Sequence, residues 1–177
     1  MISKILSFDW ALWFFWIMAT NLGWFLGGLI FSGLTFITSG LLIGIFQWLV
    51  LQGRIVRPWR WIVSTFSGWT VGYLIMFLGI PREFEIFDGV AIGLTTGIAQ
   101  WVILRHELHW AGWWIIFSVV GWTTGFTLLP GFMLTGTMAG ALTGLALEIL
   151  LRHPKLTTIC KQASNPDRLD LSGRNTT

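Results

Sequence analysis

A few polar side chains lie within long apolar stretches of this sequence, and they are the groups best placed for chemistry. Gln47 and Gln100 occupy matching positions in two similar segments, and Asn21 is a lone amide nearer the start of the chain. Hydrocarbon offers no hydrogen-bonding partner, so amides in such stretches need partners inside the protein. Two interpretations remain open: the amides either form hydrogen bonds between helices or lie along a path for a small polar solute.

One carboxylate also lies within an apolar stretch. Glu148 precedes Arg152 by four residues, a spacing that places both side chains on one helix face and favours an ion pair. An ionisable group in a membrane segment is by default a functional hypothesis. Because Glu148 falls one turn from the end of its stretch, we interpret the pair as structural, with a place near a permeation path as the alternative.

Motifs for catalysis and metal binding are absent or weak. The sequence contains no HExxH, GxSxG, Walker A or GxGxxG pattern, so we expect no enzymatic activity and no motif-defined cofactor. His106, Glu107 and His109 have a spacing that a metal could use, but a solvated loop is the simpler interpretation. The single cysteine, Cys160, excludes an intramolecular disulfide, and we expect an unmodified thiol rather than a palmitoylated one.

Three similar segments must position these groups. They read GLLIGIFQWLVLQ from Gly40, GLTTGIAQWVILR from Gly93 and GALTGLALEILLR from Gly140, and the last has Leu147 where the others have glutamine. Each carries two glycines four residues apart, which in an apolar helix let another backbone approach closely. We therefore predict helix packing through six glycines: Gly40, Gly44, Gly93, Gly97, Gly140 and Gly144.

A second recurring motif, GWxxG, precedes each of these segments. Its tryptophans are Trp24, Trp69 and Trp122, and a helical rise of about 1.5 Å per residue places them near the middle of a membrane. Packing against a neighbouring helix is the favoured interpretation, because aromatic side chains usually belong to a core. The alternative is a ring of indoles around a flat hydrophobic ligand such as a pigment, a quinone or a sterol-like lipid.

The composition indicates an integral membrane protein. Hydrophobic residues make up 54% of the 177-residue chain and charged residues 11%, with a mean hydropathy of +0.72. Soluble domains carry about 25% charged residues. The net charge of +3 and the pI near 9.6 do not indicate nucleic-acid binding, because the basic residues sit between apolar stretches. The expected partners are the lipid bilayer and other membrane proteins.

The predicted fold is all-α, with six transmembrane helices arranged as three tandem αα-hairpins. The hairpins cover residues 10–52, 59–105 and 110–152. A short lead at 1–9 precedes them, and a disordered tail at 153–177 follows.

The loops between the predicted helices differ in charge, and this difference predicts the orientation. One side holds Arg82 among acidic residues, and the other holds all remaining lysines and arginines. These are Lys4, Arg54, Arg57, Arg60, Arg105, Arg152, Lys155, Lys161, Arg168 and Arg174. An excess of basic residues marks the cytoplasmic side. We therefore expect both termini in the cytoplasm, in a bacterial inner membrane or a thylakoid.

Two further features locate helix ends. Thr35, Asp88 and Thr135 each stand five residues before a paired glycine and are expected to cap helix N-termini. Most other tryptophans fall at predicted helix ends and are expected to form an aromatic belt on the cytoplasmic side. The belt comprises Trp10, Trp13, Trp48, Trp59, Trp61, Trp101, Trp110, Trp113 and Trp114.

The chain resembles a loose group of small, tryptophan-rich membrane proteins that are common in cyanobacteria. The resemblance rests on QW-x-x-L-(R/Q) followed by a tryptophan-rich segment, from Gln47 to Trp61 and again from Gln100 to Trp114. It covers roughly residues 40–152, and it implies a fold and a lineage but no mechanism.

Three functions remain as hypotheses. The first is a non-enzymatic scaffold, accessory or assembly subunit of a larger membrane complex, because the loops are too short for a catalytic domain. The second is a permeation protein for a small solute or ion, with the polar residues of the apolar stretches near its path. The third is a pigment- or lipid-binding protein that uses the tryptophans of the GWxxG motifs.

Overall fold

The computed structural model describes residues 8–30, 35–79, 85–127 and 132–154, and these residues form six α-helices. They are α1 (Trp10–Ile30), α2 (Thr35–Leu51), α3 (Trp59–Gly79), α4 (Glu85–Leu104), α5 (Trp113–Thr127) and α6 (Phe132–Leu151). The predicted all-helical class is therefore confirmed. Four helices (α1, α3, α4 and α6) are long and apolar enough to cross a membrane, judged by length and composition.

The start of α5 differs from the prediction. The sequence places a helix from Trp110, whereas α5 begins at Trp113. Residues 105–112 form turns instead, and Leu108 pairs with Pro154 in an isolated antiparallel bridge. Trp110 has a φ of 63°, a left-handed conformation that a right-handed helix cannot contain. The bridge and this backbone conformation shorten the helix by three residues.

The predicted N-caps Asp88 and Thr135 are wrong. Both lie inside helices, because α4 begins at Glu85 and α6 at Phe132. The Thr135 hydroxyl donates to the carbonyl of Gly125 on α5 at 3.0 Å, so it joins two helices rather than capping one. Thr35 is the first residue of α2, and its side chain lies outside the described residues.

The six helices close into a ring. Each helix packs against the helices before and after it, and α6 packs against α1. Among the described residues, the backbones of helices that are not neighbours do not approach one another across the ring. A closed ring has one interior and one exterior surface, so each side chain points to the axis, to a neighbouring helix or outwards.

Glycines permit the close approach of neighbouring helices. A Cβ atom added at Gly40 would lie 2.5 Å from Cγ of Trp69 on α3, and one at Gly93 would lie 2.6 Å from Cα of Val119 on α5. Real Cβ atoms do not approach this closely, so a larger residue would push the helices apart. All six glycines predicted for packing face the next helix in the ring: Gly40 and Gly44 face α3, Gly93 and Gly97 face α5, and Gly140 and Gly144 face α1.

The glycines of the GWxxG motifs face the other neighbour. A Cβ atom at Gly23 would lie 2.5 Å from Cα of Ile43 on α2, and one at Gly68 would lie 2.7 Å from Cα of Thr96 on α4. The two kinds of glycine therefore serve alternate seams of the ring. The paired glycines lie at the seams α2–α3, α4–α5 and α6–α1, and the GWxxG glycines lie at the seams between them.

Two described connections, 52–58 and 105–112, and the residues that follow α6 meet at one end of the ring. The backbone N–H of Val56 donates to the carboxylate of Glu107, at 3.2 and 3.1 Å from its two oxygens. The backbone N–H of His109 donates to the carbonyl of His153 at 3.0 Å. We call this the basic end, because the described part of the chain has five arginines there: Arg54, Arg57, Arg60, Arg105 and Arg152.

Candidate functional site

Three tryptophans fill the axis of the ring nearest the basic end. Trp16, Trp61 and Trp114 come from α1, α3 and α5, and their ring centroids lie 5.6 to 6.0 Å apart with each edge against a face. This geometry suits the quadrupoles of aromatic rings. At most 1% of each side chain is exposed. We call these residues the basic-end triad.

The basic-end triad corrects the predicted aromatic belt. Trp61 and Trp114 were expected at the membrane surface, but both are buried on the axis. The belt assignment fails because distance from a helix end says nothing about which way a side chain points. Four other belt residues are exposed, in contrast. The exposed fractions are 67% for Trp10, 57% for Trp59, 70% for Trp110 and 51% for Trp113.

A second triad lies eight residues further along the same three helices, about 12 Å along the axis. We call Trp24, Trp69 and Trp122 the inner triad; its ring centroids lie 4.7 to 6.1 Å apart. Phe126 packs on Trp24 at 5.7 Å. The three indoles thus contact one another on the axis, in the position where the sequence also allowed a flat ligand.

A layer of hydrogen bonds separates the two triads. Trp61 donates its indole N–H to Oε1 of Gln47 at 2.9 Å, and Nε2 of Gln47 donates to the hydroxyl of Thr20 at 3.0 Å. Both glutamines singled out in the sequence are buried here. A buried amide needs both of its ends paired, because an unpaired polar group in a low-dielectric interior is costly.

The same arrangement occurs at Gln100. Trp114 donates to Oε1 of Gln100 at 2.9 Å, and Nε2 of Gln100 donates to the hydroxyl of Thr65 at 2.8 Å. In each case the glutamine joins a tryptophan on the following helix to a threonine on the preceding one. These amides therefore tie three helices together and are occupied by protein partners.

The third position of this layer differs because Leu147 stands there. The indole N–H of Trp16 instead donates to the hydroxyl of Thr143 at 3.0 Å, and that hydroxyl donates to the carbonyl of Ala139 at 2.6 Å. Ser118 occupies the place of the threonines Thr20 and Thr65. Its buried hydroxyl has no hydrogen-bond partner among the described residues. The layer is therefore complete at two positions and incomplete at the third.

The polar layer also encloses a very small cavity between the triads. It is lined by the two glutamines, by hydroxyl groups and by Trp69, Trp114 and Trp122, and gives the centre of a water-sized molecule about 10 Å³ of room. That is about the space that one water needs. A pigment, quinone or sterol could not enter it without moving the indoles.

Asn21 and Glu148 lie at the seam between α6 and α1. The amide N–H of Asn21 donates to the hydroxyl of Thr137 on α6 at 2.9 Å. Glu148 is buried, and its carboxylate accepts hydrogen bonds from Arg152 at 2.8 and 2.6 Å and from the backbone N–H of Asp9 at 2.8 Å. Both side chains thus hold the last helix against the first.

Arg152 follows the last residue of α6 at the basic end. The hydrogen bonds to Glu148 raise the pKa of the Arg152 guanidinium above its ordinary value. The arginine therefore stays charged and keeps the buried carboxylate paired. We assign these two residues a structural role at the α6–α1 seam.

His106, Glu107 and His109 lie in the turns between α4 and α5. Within the described ranges, no group of three or more histidine, cysteine, aspartate or glutamate side chains could hold a metal ion. The carboxylate of Glu107 accepts the Val56 N–H and so joins two loops. Cys160 lies outside the described residues.

A longer motif in the sequence carries the signal for the basic-end triad. Each GWxxG motif is preceded by a tryptophan and a hydroxyl-bearing residue, in the pattern W-I-x-x-[S/T]-x-x-G-W-x-x-G. The pattern begins at Trp16, Trp61 and Trp114. Its first tryptophan belongs to the basic-end triad, its hydroxyl residue to the polar layer and its second tryptophan to the inner triad. The three positions are four residues apart, so they lie on one face of the helix.

Comparison of this chain with protein-family models, with curated proteins and with solved structures finds no match.

Proposed function

We propose that this chain is a multi-pass membrane protein with a structural role, as a scaffold, accessory or assembly subunit of a larger membrane complex. The observation that carries the proposal is the filled axis. Two indole triads and a hydrogen-bonded layer occupy the interior, and the amides of Gln47 and Gln100 already have protein partners there. The surface left for interaction is the outside of the ring.

We infer that the chain is made of three tandem hairpins. The correspondence of Trp16, Trp61 and Trp114 supports this inference, because each lies in the same layer of the ring and begins the same sequence pattern. The GxxxG packing follows the same order, since the paired glycines of each hairpin face the first helix of the next hairpin.

Six spans and a cytoplasmic basic end complete the proposal. The helices α2 and α5 are shorter than their neighbours, with 17 and 15 residues, but each is packed on both sides within the ring. At about 1.5 Å per residue, α2 is about 26 Å long and comes close to the thickness of the hydrocarbon layer. The arginines gathered at one end favour placing that end, and both termini, in the cytoplasm.

The outside of the ring is apolar in a way that suits lipid and membrane-protein partners. Large hydrophobic side chains are exposed on several helices, for example Phe14 on α1, Phe77 on α3 and Val120 on α5, at 54%, 68% and 47%. Exposed apolar surface of this extent marks contact with a membrane or with other proteins. The bilayer alone accounts for part of it, and we assign another part to a protein partner.

The permeation and pigment-binding alternatives rank below this proposal. A solute path through the axis would require the two triads to part and the bonds of Gln47 and Gln100 to open. A flat ligand at the inner triad would require Trp24, Trp69 and Trp122 to separate. Each alternative thus needs a second conformation of the ring.

The proposal is tested in native membranes. A photoreactive amino acid is placed in turn at the exposed positions Phe14, Phe77 and Val120, and the protein is illuminated before purification in mild detergent. Mass and absorption spectrum are read on the same size-exclusion peak. We expect a partner-containing peak, and an adduct at one position that disappears without illumination. A colourless peak of monomer mass with no adduct at any position would overturn the proposal.

A further inference from the structure

A groove opens between α3 and α4 at the basic end of the ring. Its volume is about 580 Å³, and it is open to the outside. Its walls are apolar, with Val63 on α3 and Val102 and Ile103 on α4, and its rim carries polar and charged groups. The residues that complete the lining are Val56, Arg57, Trp59, Arg60, Ser64, Ala99, His106 and Glu107.

The rim of this groove is positively charged. Arg57 and Arg60 stand three residues apart, one before α3 and one in its first turn. The guanidinium of Arg60 lies 5.9 Å from the centroid of the Trp59 ring, which supports the long side chain at the surface. Glu107 adds one negative charge and accepts the Val56 N–H. Two arginines against one carboxylate leave a net positive rim above an apolar wall.

A second groove, between α5 and α6, provides an internal comparison. Its volume is about 420 Å³ and it lies at the same end of the ring. Four of its wall residues stand 47 positions after their counterparts in the first groove. The pairs are Ala99 and Ala146, Val102 and Ile149, Ile103 and Leu150, and His106 and His153. The apolar wall is thus a property of both grooves.

The rims of the two grooves differ in charge. The positions of Arg57 and Arg60 correspond, 53 residues later, to Trp110 and Trp113, which line the second groove. The arginine pair is therefore specific to the groove between α3 and α4. A guanidinium pair is suited to a phosphate, because each guanidinium can donate two parallel hydrogen bonds to its oxygens.

We propose that the groove between α3 and α4 binds an anionic phospholipid. Arg57 and Arg60 hold the phosphate, and an acyl chain lies along Val63, Val102 and Ile103. The proposal rests on the membrane location and orientation given under the proposed function. Basic pockets between transmembrane helices on the cytoplasmic side bind the headgroups of anionic lipids. The continuous apolar wall below the arginines selects a lipid over a free phosphate ion.

Lipid retention on the purified protein tests this proposal. The protein in detergent is incubated with phosphatidylglycerol or with phosphatidylcholine, re-purified, and its bound lipid is counted by native mass spectrometry. We expect one retained phosphatidylglycerol and weaker retention of phosphatidylcholine. In Arg57→Gln/Arg60→Gln the affinity for phosphatidylglycerol should fall about tenfold or more, and the preference should disappear.

Two further variants make the test specific. Arg54→Gln is the matched control, because Arg54 is also at the basic end but donates to the carbonyl of Val50 and does not line the groove. We expect it to retain phosphatidylglycerol as the wild type does. Val63→Trp fills the groove from an exposed position and should displace the lipid while both arginines remain.

Either of two results would overturn the lipid site. One is undiminished retention by both the arginine double variant and Val63→Trp, and the other is an equal loss in Arg54→Gln. Because retention is read on the purified chain, it does not depend on a protein partner. If the lipid is lost and the partner complex is still found, the lipid proposal fails and the proposed function stands. If no partner complex is found but the lipid is retained, the proposed function fails and the lipid site stands.

Discussion

The carboxylate of Glu148, near the end of α6, accepts the backbone N–H of Asp9 at 2.8 Å, so the last helix of the ring is fastened to the start of the first. The same carboxylate pairs with Arg152. We expect Glu148→Ala to lower the free energy of unfolding by about 1–3 kcal/mol, because the Asp9 N–H and the guanidinium both lose their acceptor. Thermal unfolding in detergent measures the loss.

Glu148→Gln provides the comparison. It keeps an oxygen acceptor for Asp9 and removes the charge, so we expect a smaller loss than in Glu148→Ala. If the alanine variant melted as the wild type does, Glu148 would have no role in closing the seam, and its burial would need another explanation.

The incomplete polar layer predicts a stabilising substitution. In Leu147→Gln the new amide N–H would donate to the Ser118 hydroxyl, as the other two glutamines donate to a threonine, while the Trp16 N–H keeps its acceptor on Thr143. We expect a gain of about 1 kcal/mol, because a buried hydroxyl acquires a partner. The melting temperature should rise in Leu147→Gln and should not rise in Leu147→Gln/Ser118→Ala. A gain that persists without the serine would disprove the assigned pairing.

The two existing glutamines predict the opposite effect. Gln100→Leu leaves the Trp114 N–H and the Thr65 hydroxyl without this partner, and we expect a loss of about 1–3 kcal/mol in the free energy of unfolding.

Solute flux in liposomes tests the function of the same residues, because the scaffold proposal predicts no flux from the wild type. Flux through the wild type that falls in Gln47→Leu/Gln100→Leu would favour the permeation alternative.

The glycine seams give a test with a control in the same chain. Gly93→Leu places a side chain against the backbone of Val119 and should lower the melting temperature or abolish expression. Gly79→Leu should be tolerated, because a Cβ atom at Gly79 meets nothing within 4 Å. Equal melting temperatures for the two variants would show that Gly93 faces lipid.

The membrane orientation is tested with reporters. A fusion at Glu83 should report the outer side and a fusion at Arg54 the cytoplasm, because the basic residues gather on the side of Arg54. A cytoplasmic signal from the Glu83 fusion, with Arg54 also inside, would exclude the six-span topology.

Local patterns account for much of this fold. The predicted bounds of the second hairpin, 59 and 105, fall within one residue of the start of α3 and the end of α4, and a pair of glycines such as Gly93 and Gly97 predicts a close helix seam. Both signals are carried by neighbouring residues in the chain. The late start of α5 escaped prediction because it depends on the bridge between Leu108 and Pro154, which are far apart in sequence.

The basic-end triad escaped prediction for a similar reason. Trp61 is the third residue of α3, and a tryptophan so close to a helix end is expected at a membrane surface. Only the rotation of α3 within the ring turns that indole towards Trp16 and Trp114. Asp88 shows the same limit at a helix end: a residue suited to capping lies within the first turn, because the preceding residues are also helical.

Ring closure has a consequence for how the protein is made. The indole of Trp16 finds its acceptor on Thr143, 127 residues later, and Asp9 finds Glu148 139 residues later. In the membrane topology proposed above, we expect the first helix to enter the bilayer before its acceptors on α6 have been synthesised. A chain truncated before α6 should leave the Trp16 indole N–H and the Asp9 backbone N–H without these acceptors. The ring can therefore close only after α6 has been synthesised.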